Sequence, residues 1–334
     1  MRAWSLASPT GRDGLVLADR PDPPLGPLDV RLRVRAVSLQ YRDLLMIRGQ
    51  YGRTTPGLVP CSDASGDVVE VGAAVREVAV GARVTSTFAP GWTAGALTLA
   101  AAKTALGAGG TGTLADHLVL PAYAVMPVPA HLSHEEAATL PCAALTAWHA
   151  LFEEAPVVPG STVLTIGSGG VSVFALQFAR LAGARVLVTT RSPAKADRLR
   201  ELGADEVLDV SADPAWGDRV RALAGGEGVD HVVEVGGHGT FDQSVRAVRL
   251  GGTISLIGVL AGPAPVNLTP VLMRNIRVQG VLVGSHEMFR RMNAALLRHG
   301  VRPVVDRVLA FAEAPEAFRY LERGAHVGKV VITV

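Results

Sequence analysis

The sequence predicts an α/β protein in which a doubly wound parallel sheet is set into a β-rich chain. Three observations carry this reading. Between residues 162 and 257, short aliphatic runs alternate with helical patterns, the order that builds parallel strands joined by crossover helices. The first of those runs turns directly into a helix through Ile166-Gly167-Ser168-Gly169-Gly170-Val171. Residues before about 122 and after about 300 show instead brief strand-period segments cut by glycine turns.

Residues 30–37 alternate with the strand period, and 66–72 and 81–84 are short strands between glycine turns. Residues 91–112, rich in Gly, Ala and Thr, read as loop. At Ser133 the pattern becomes helical, with Glu136 three residues on completing a capping box. Strands are then expected at 162–166, 185–189, 206–209, 229–234 and 252–257, with helices between them. A further strand at 276–283 and a helix near 287–299 precede the closing run Gly328-Lys329-Val330-Val331-Ile332-Thr333-Val334. The expected domains are 1–122 completed by 300–334, β-rich, and 123–299, carrying the parallel sheet.

Composition narrows the function classes. The 334 residues exceed what one small core organises, and with 49% apolar and 19% charged residues the chain has the makings of an ordinary folded protein. The net charge of +2 is spread without a basic block, which argues against nucleic acid or a membrane surface as partner. The N-terminal Met1-Arg2-Ala3-Trp4-Ser5 lacks the apolar core of a signal peptide, and apolar runs are interrupted before they reach the length of a membrane span. Cys61 and Cys142 make no disulfide framework, so a reducing, cytoplasmic setting is expected.

The glycine turn has a chemical meaning. A strand that turns sharply into a helix leaves backbone N–H groups free, and the helix dipole adds positive potential, so the turn suits a pyrophosphate. Gly167 permits the turn, Gly169 admits the phosphates, and Ser168, Gly170 and Val171 complete the cradle; Ser172 stands where the dinucleotide fingerprint has its third glycine. The second strand ends at Thr190, where an acidic residue would bind the ribose 2′-hydroxyl of NAD. Instead come Thr190, Arg191, Ser192 and Lys195, two hydroxyls and two cations suited to a 2′-phosphate, which predicts NADPH.

These segments, in order, resemble the zinc-free quinone oxidoreductase branch of the medium-chain dehydrogenase/reductase superfamily, over nearly the whole chain. The matching stretches are Ser38-Leu39-Gln40-Tyr41-Arg42-Asp43-Leu44-Leu45, Arg48-Gly49-Gln50-Tyr51 and Val59-Pro60-Cys61-Ser62-Asp63-Ala64-Ser65-Gly66. They continue with Glu136–Cys142, Leu145-Thr146-Ala147-Trp148, the glycine turn, Leu202-Gly203-Ala204-Asp205, Gly228–Gly236 and Ile257-Gly258-Val259. The resemblance implies a GroES-like catalytic domain, a Rossmann coenzyme domain and an active site in the cleft between them. It implies a homodimer through the 276–283 edge strand.

The resemblance also bears on metal. The positions that carry the zinc ligands of metal-dependent relatives are Gln40, Ser62 and Cys142, a poor set for zinc, so no metal is expected. Without one, preorganised hydrogen bonds must stabilise the charge that develops as hydride arrives. Quinones and α,β-unsaturated carbonyls spread that charge themselves. Tyr51 either donates a proton to the substrate or packs its loop; Gln40 either orients the substrate or bonds across the emptied metal pocket; Asp43 is either an acid or a structural partner of Arg42. Thr146, Gly236, Ile257, Gly258 and Val259 are expected at the nicotinamide half, and Lys329 at a phosphate or on a solvated strand edge. The expected function is an NADPH-dependent, zinc-independent quinone or enoyl reductase. A metal-free alcohol or aldehyde dehydrogenase, or an NADPH-binding sensor with little turnover, remain alternatives.

Overall fold

The alternation after residue 160 folds into a six-stranded parallel sheet. Its order is Glu206–Asp209, Arg185–Thr190, Thr162–Ile166, Val229–Glu234, Val248–Leu256 and Arg277–Gly280. The structure is a computed structural model and describes the chain except residues 8–13, 52–54, 109–110, 259–261 and 263. In chain order the strands run 3-2-1-4-5-6, so direction of growth reverses between Thr162–Ile166 and Val229–Glu234, the place where doubly wound sheets bind ligands.

Burial explains the composition of these strands. Val163, Leu164, Val186, Leu187, Val232 and Val233 are inaccessible, as expected where helices cover both faces of a parallel sheet. The helix Gly170–Leu181 buries Val173, Phe174, Leu176 and Phe178, and Phe174 and Phe178 stack with ring centroids 5.9 Å apart. It stops because Gly183 follows in the left-handed region at φ 77°, a glycine C-terminus.

The other unit is a seven-stranded sheet centred on Asp29–Ser38, which pairs antiparallel with Asp63–Val71, His117–Pro121 and Lys329–Thr333. The last strand of the chain therefore lies beside its first long one. Helix Ala314–Arg323 presents Ala314, Ala317, Phe318 and Leu321 at three- and four-residue spacing to this core.

Met1–Leu145 with Val283–Val334 form one unit, and Thr146–Leu282 the other. These borders differ from the expected 122/123 and 299/300, and hydrogen bonds explain why. Val125–Pro127 is a strand paired with Arg83–Ser86. The helix His286–His299 is held by His286 N–H on Trp92 O, Glu287 N–H on Thr93 O and Asn293 Nδ2 on Pro127 O. Both segments therefore belong with the β-rich unit.

Three local readings need correction. The expected strand 276–283 is only Arg277–Gly280, bracketed by Asn275 at φ 49° and Val283 at φ 48°, where non-glycine residues leave the extended region. Within 91–112, Thr98 caps a short helix, Leu99–Ala102. The helix begun at Ser133, with its capping box to Glu136 formed, gives way to π-helical turns at Leu140–Ala144 and His149–Glu153. Among the described residues no helix is long and apolar enough to cross a membrane.

Candidate active site

In the parallel-sheet unit the glycine turn forms an open cradle. Gly167 sits at φ 80°, and a Cβ at either Gly167 or Gly169 would meet nothing within 4 Å. Helix Gly170–Leu181 starts there with Gly169 as N-cap. Ser172 keeps its fingerprint position by turning its hydroxyl inward, donating to Ile166 O at 2.6 Å.

The end of the second strand is tied to this turn. Thr190 Oγ1 accepts from Ser192 N at 3.1 Å, and Lys195 Nζ donates to Ser168 Oγ at 3.0 Å. Ser168, Thr190, Ser192 and Lys195, separated by up to 27 residues, thus form one linked patch, beside which Arg191 is exposed. A backbone cradle and a cationic, hydroxylic patch without a carboxylate at Thr190 fit a dinucleotide.

Gly236, Ile257 and Gly258 are organised by a residue the sequence reading passed over. Glu234 is inaccessible, and its carboxylate accepts from Gly236 N at 2.7 Å, Gly237 N at 3.1 Å, and the hydroxyls of Thr240 and Ser244. Its backbone carbonyl takes Ile257 N at 2.9 Å and Gly258 N at 3.1 Å. Glycine is required at 258, because a Cβ would fall 1.5 Å from Val235 O. Burial raises the Glu234 carboxyl, against the pull of its four donors. Val259 lies outside the described residues. Thr146 is buried in the short helix Leu145–Trp148, and His149 Nε2 lies 3.7 Å from Glu154.

The remaining candidates gather in the β-rich unit around a second unnoticed carboxylate, Asp63. It is fully buried at the start of strand Asp63–Val71. Gln40 Nε2 donates to its Oδ2 at 2.7 Å, Cys142 N to the same oxygen at 3.0 Å, and Ser62 Oγ to Oδ1 at 2.6 Å. Cys61, just before, is held at φ 72°, a strained conformation for a side-chain-bearing residue that costs about 1–3 kcal/mol. Strain of that kind persists where surrounding contacts over-determine the backbone, as they do here.

Asp43 caps the helix Tyr41–Ile47 by accepting Gln40 N at 2.8 Å, and lies 3.7 Å from Arg42. That is the structural-partner reading of Asp43. Arg42 in turn stacks over Tyr51 at 5.3 Å and Phe88 at 4.8 Å, holding the tyrosine ring by cation–π contact. Lys329 is neither exposed nor at an edge: it is 4% accessible on a strand between two neighbours, and its ammonium donates to Leu39 O. Its place inside this cluster differs from the phosphate contact expected of it. Two cations, Arg42 and Lys329, balance two carboxylates, Asp43 and Asp63. Burial pushes Asp63 up to about 6, opposed chiefly by Lys329, and burial lowers Lys329. Burial likewise raises the thiols of Cys61 and Cys142.

The three positions matching metal ligands do not suit zinc. Gln40 and Ser62 both turn hydrogen-bond donors toward Asp63, and neither is among the Cys, His or carboxylate side chains that ordinarily hold zinc. Cys142 contributes a single thiol. Among the described residues no group of three or more His, Cys, Asp or Glu side chains is arranged to hold a metal ion.

Fold and sites together define a dinucleotide-binding oxidoreductase with a GroES-like companion domain. The family profile described as "Alcohol dehydrogenase GroES-like domain" matches residues 26–130, and that described as "Zinc-binding dehydrogenase" matches 170–298. A zinc-type alcohol dehydrogenase-like protein of Schizosaccharomyces pombe is 41% identical over 319 residues, covering 93% of this chain and 92% of its own. A putative alcohol dehydrogenase from Sinorhizobium meliloti 1021 superposes with a TM-score of 0.92 at 40% identity, covering 100% of this chain and 98% of that one. The mycobacterial protein Rv1454c, solved in complex with NADPH, superposes with a TM-score of 0.86 at 29% identity over the full length of both chains. The chain belongs to the medium-chain dehydrogenase/reductase superfamily and is an oxidoreductase of that family.

Proposed function

We propose that this protein is an NADPH-dependent, zinc-independent reductase of quinones or α,β-unsaturated carbonyls. The observation that carries the reading is the replacement of metal-ligand chemistry in the β-rich unit by a hydrogen-bonded cluster of Gln40, Ser62, Cys142 and Asp63. Such a cluster supplies no Lewis acid strong enough for an isolated carbonyl, so it favours acceptors that delocalise the incoming charge. NADPH supplies the hydride when bound.

The chain's own groups have distinct tasks in this reading. The turn Gly167–Val171 holds the pyrophosphate, and Thr190, Arg191, Ser192 and Lys195 hold the 2′-phosphate. The complex of Rv1454c with NADPH supports the cofactor assignment. Gly236, Ile257, Gly258 and Thr146 border the nicotinamide half. Tyr51, its ring braced by Arg42 and its hydroxyl without a protein partner among the described residues, donates to the substrate oxygen. Gln40 orients the substrate. Asp43 serves as cap and counter-ion rather than acid. The edge strand Arg277–Gly280, with Val278 partly exposed, pairs with its copy in a homodimer.

A second reading, reduction of saturated aldehydes without metal, is favoured by the 40%-identical structure described as a putative alcohol dehydrogenase. NADPH oxidation by chelator-treated enzyme separates them, using a naphthoquinone, a 2-enal, a 2-enoyl thioester and a saturated aldehyde. Turnover confined to the first three is expected. Turnover of the saturated aldehyde alone supports the second reading, and loss of activity on chelation overturns zinc independence.

A further inference from the structure

We infer that Asp63 is the positioning residue of this site, a carboxylate that gathers the three metal-matching positions by hydrogen bonds and so sets which way the Gln40 amide faces. The inference deepens the zinc-independent reading and rests on it. Gln40, Ser62 and Cys142 stand 23, 1 and 79 residues from Asp63, yet all three donate to its two oxygens at 2.6–3.0 Å. Convergence from three separate segments on one buried anion is an organised centre. Its polarity is the inverse of a metal site: the Gln40 and Ser62 side chains and the Cys142 backbone N–H point donors at a central negative group, where a cation would need lone pairs.

The consequence falls on Gln40. An amide can present either its carbonyl oxygen or its NH2 group to a given neighbour, and nothing in its shape chooses between them. Asp63 Oδ2 chooses, because it can only accept while ionised, and so draws in the nitrogen. Lys329 and Arg42 supply the positive potential that keeps such an anion tolerable in the interior, Lys329 through the Leu39 carbonyl immediately before Gln40. The rest of the carboxamide is then held in one orientation rather than two. Asp63 itself touches no substrate in this account.

Changing Asp63 to Asn tests this with little change of shape. The neutral amide loses the negative charge that draws in the Gln40 nitrogen, and wherever its NH2 rather than its oxygen turns to Gln40, the Gln40 amide must turn over or let go. The experiment compares nitrogen-15-labelled wild type, Asp63→Asn and Gln40→Ala, with NADPH titration, thermal unfolding and steady-state kinetics on the preferred acceptor. In the wild type, one side-chain amide pair that is absent from Gln40→Ala is expected to exchange slowly with solvent. In Asp63→Asn that protection is lost and kcat falls at least ten-fold. The NADPH Kd stays within two-fold and KM changes far less than kcat. Gln40→Ala shows the same kcat loss with Asp63 intact.

An unprotected Gln40 amide in the wild type overturns the inference. So does an Asp63→Asn enzyme with a lowered Tm but unchanged kcat, since that is a purely structural residue. Should Asp63→Asn fail to fold, Gln40→Ala decides, and wild-type kcat there overturns the inference. A protected amide in a wild-type protein silent toward every acceptor supports the anchoring by Asp63 and overturns the reductase reading instead.

Discussion

In the parallel-sheet unit the chemistry is presented by backbone: Gly167 and Gly169 leave space, and Gly258 permits an approach no other residue could make. In the β-rich unit it is presented largely by side chains, those of Gln40 and Ser62 on Asp63 and those of Asp43, Arg42 and Lys329 around them. The first kind of site depends on what is missing from a side chain, the second on which charged group occupies the centre. The two should therefore fail differently when altered.

The largest expected effect is at Gly258. A methyl group there would overlap the Val235 carbonyl, with no flexible side chain to give way, so Gly258→Ala should lose the fold or at least about 4 kcal/mol of stability. Gly169→Ala should instead keep its Tm within about 2 °C, because the new methyl meets nothing, and weaken NADPH at least ten-fold by occupying the cradle. Thermal unfolding with NADPH titration reads both. A stable Gly258→Ala, or a Gly169→Ala that binds normally, would break the distinction between structural and ligand-facing glycines.

Next in size is a pH effect inside the parallel sheet. His231 is buried, with Nε2 2.8 Å from Ser255 Oγ, and burial lowers its pKa to about 4 from 6.5. Below pH 6.5 the unfolded chain takes up a proton that the native histidine refuses until about pH 4. Stability is thus intact above 6.5 and declines as pH falls between those values, by up to about 3 kcal/mol. In His231→Gln this part of the decline should vanish, measured as the urea midpoint between pH 7.5 and 4. Identical pH slopes in the two proteins would sink the assignment.

Smaller again is cofactor choice. Replacing Arg191 and Lys195 with Ala should weaken NADPH about 10- to 100-fold, the worth of one or two charge-assisted hydrogen bonds, and leave NADH within two-fold. Lys195 also donates to Ser168 in the glycine turn, so an equal loss for both dinucleotides would mean that it supports the turn rather than reading the phosphate.

The contrast explains what could be read from the chain. The cradle was legible because its requirements are local: a strand, glycines at fixed spacing and a helix, within residues 162–181. The strands at 162–166, 206–209 and 229–234 were legible for the same reason, as was the capping box at Ser133. Asp63 was not, because its role exists only through partners at 40, 62 and 142, and an acid after a serine at a strand start has no pattern of its own. A weak signal was present at Lys329, the one charged residue in a strand otherwise built of small or aliphatic side chains, since burial makes such a charge pair; Asp63 shares its strand with Asp67 and Glu70 and does not stand out. Glu234 escaped likewise, its four donors lying two to ten residues downstream on a glycine turn and the helix His238–Ala247 after it, with no motif. The unit borders were missed because backbone bonds from His286 and Glu287 to Trp92 and Thr93 leave no trace in composition.

The smallest expected effect tests how far a backbone-built site ignores side chains. Ser172 occupies the third glycine position of the fingerprint, where close packing of helix on strand is what the glycine ordinarily serves. Its hydroxyl points inward to Ile166 O at 2.6 Å and is 2% accessible, so it faces the strand and not the cradle. Ser172→Ala fits the same space and removes one hydrogen bond, leaving a buried carbonyl short of a partner, at about 1 kcal/mol. The Tm should fall by a few degrees while the NADPH Kd stays within two-fold. A ten-fold loss of NADPH affinity at unchanged stability would place the hydroxyl in the cofactor site, and the cradle would then be built by side chains as well as by backbone.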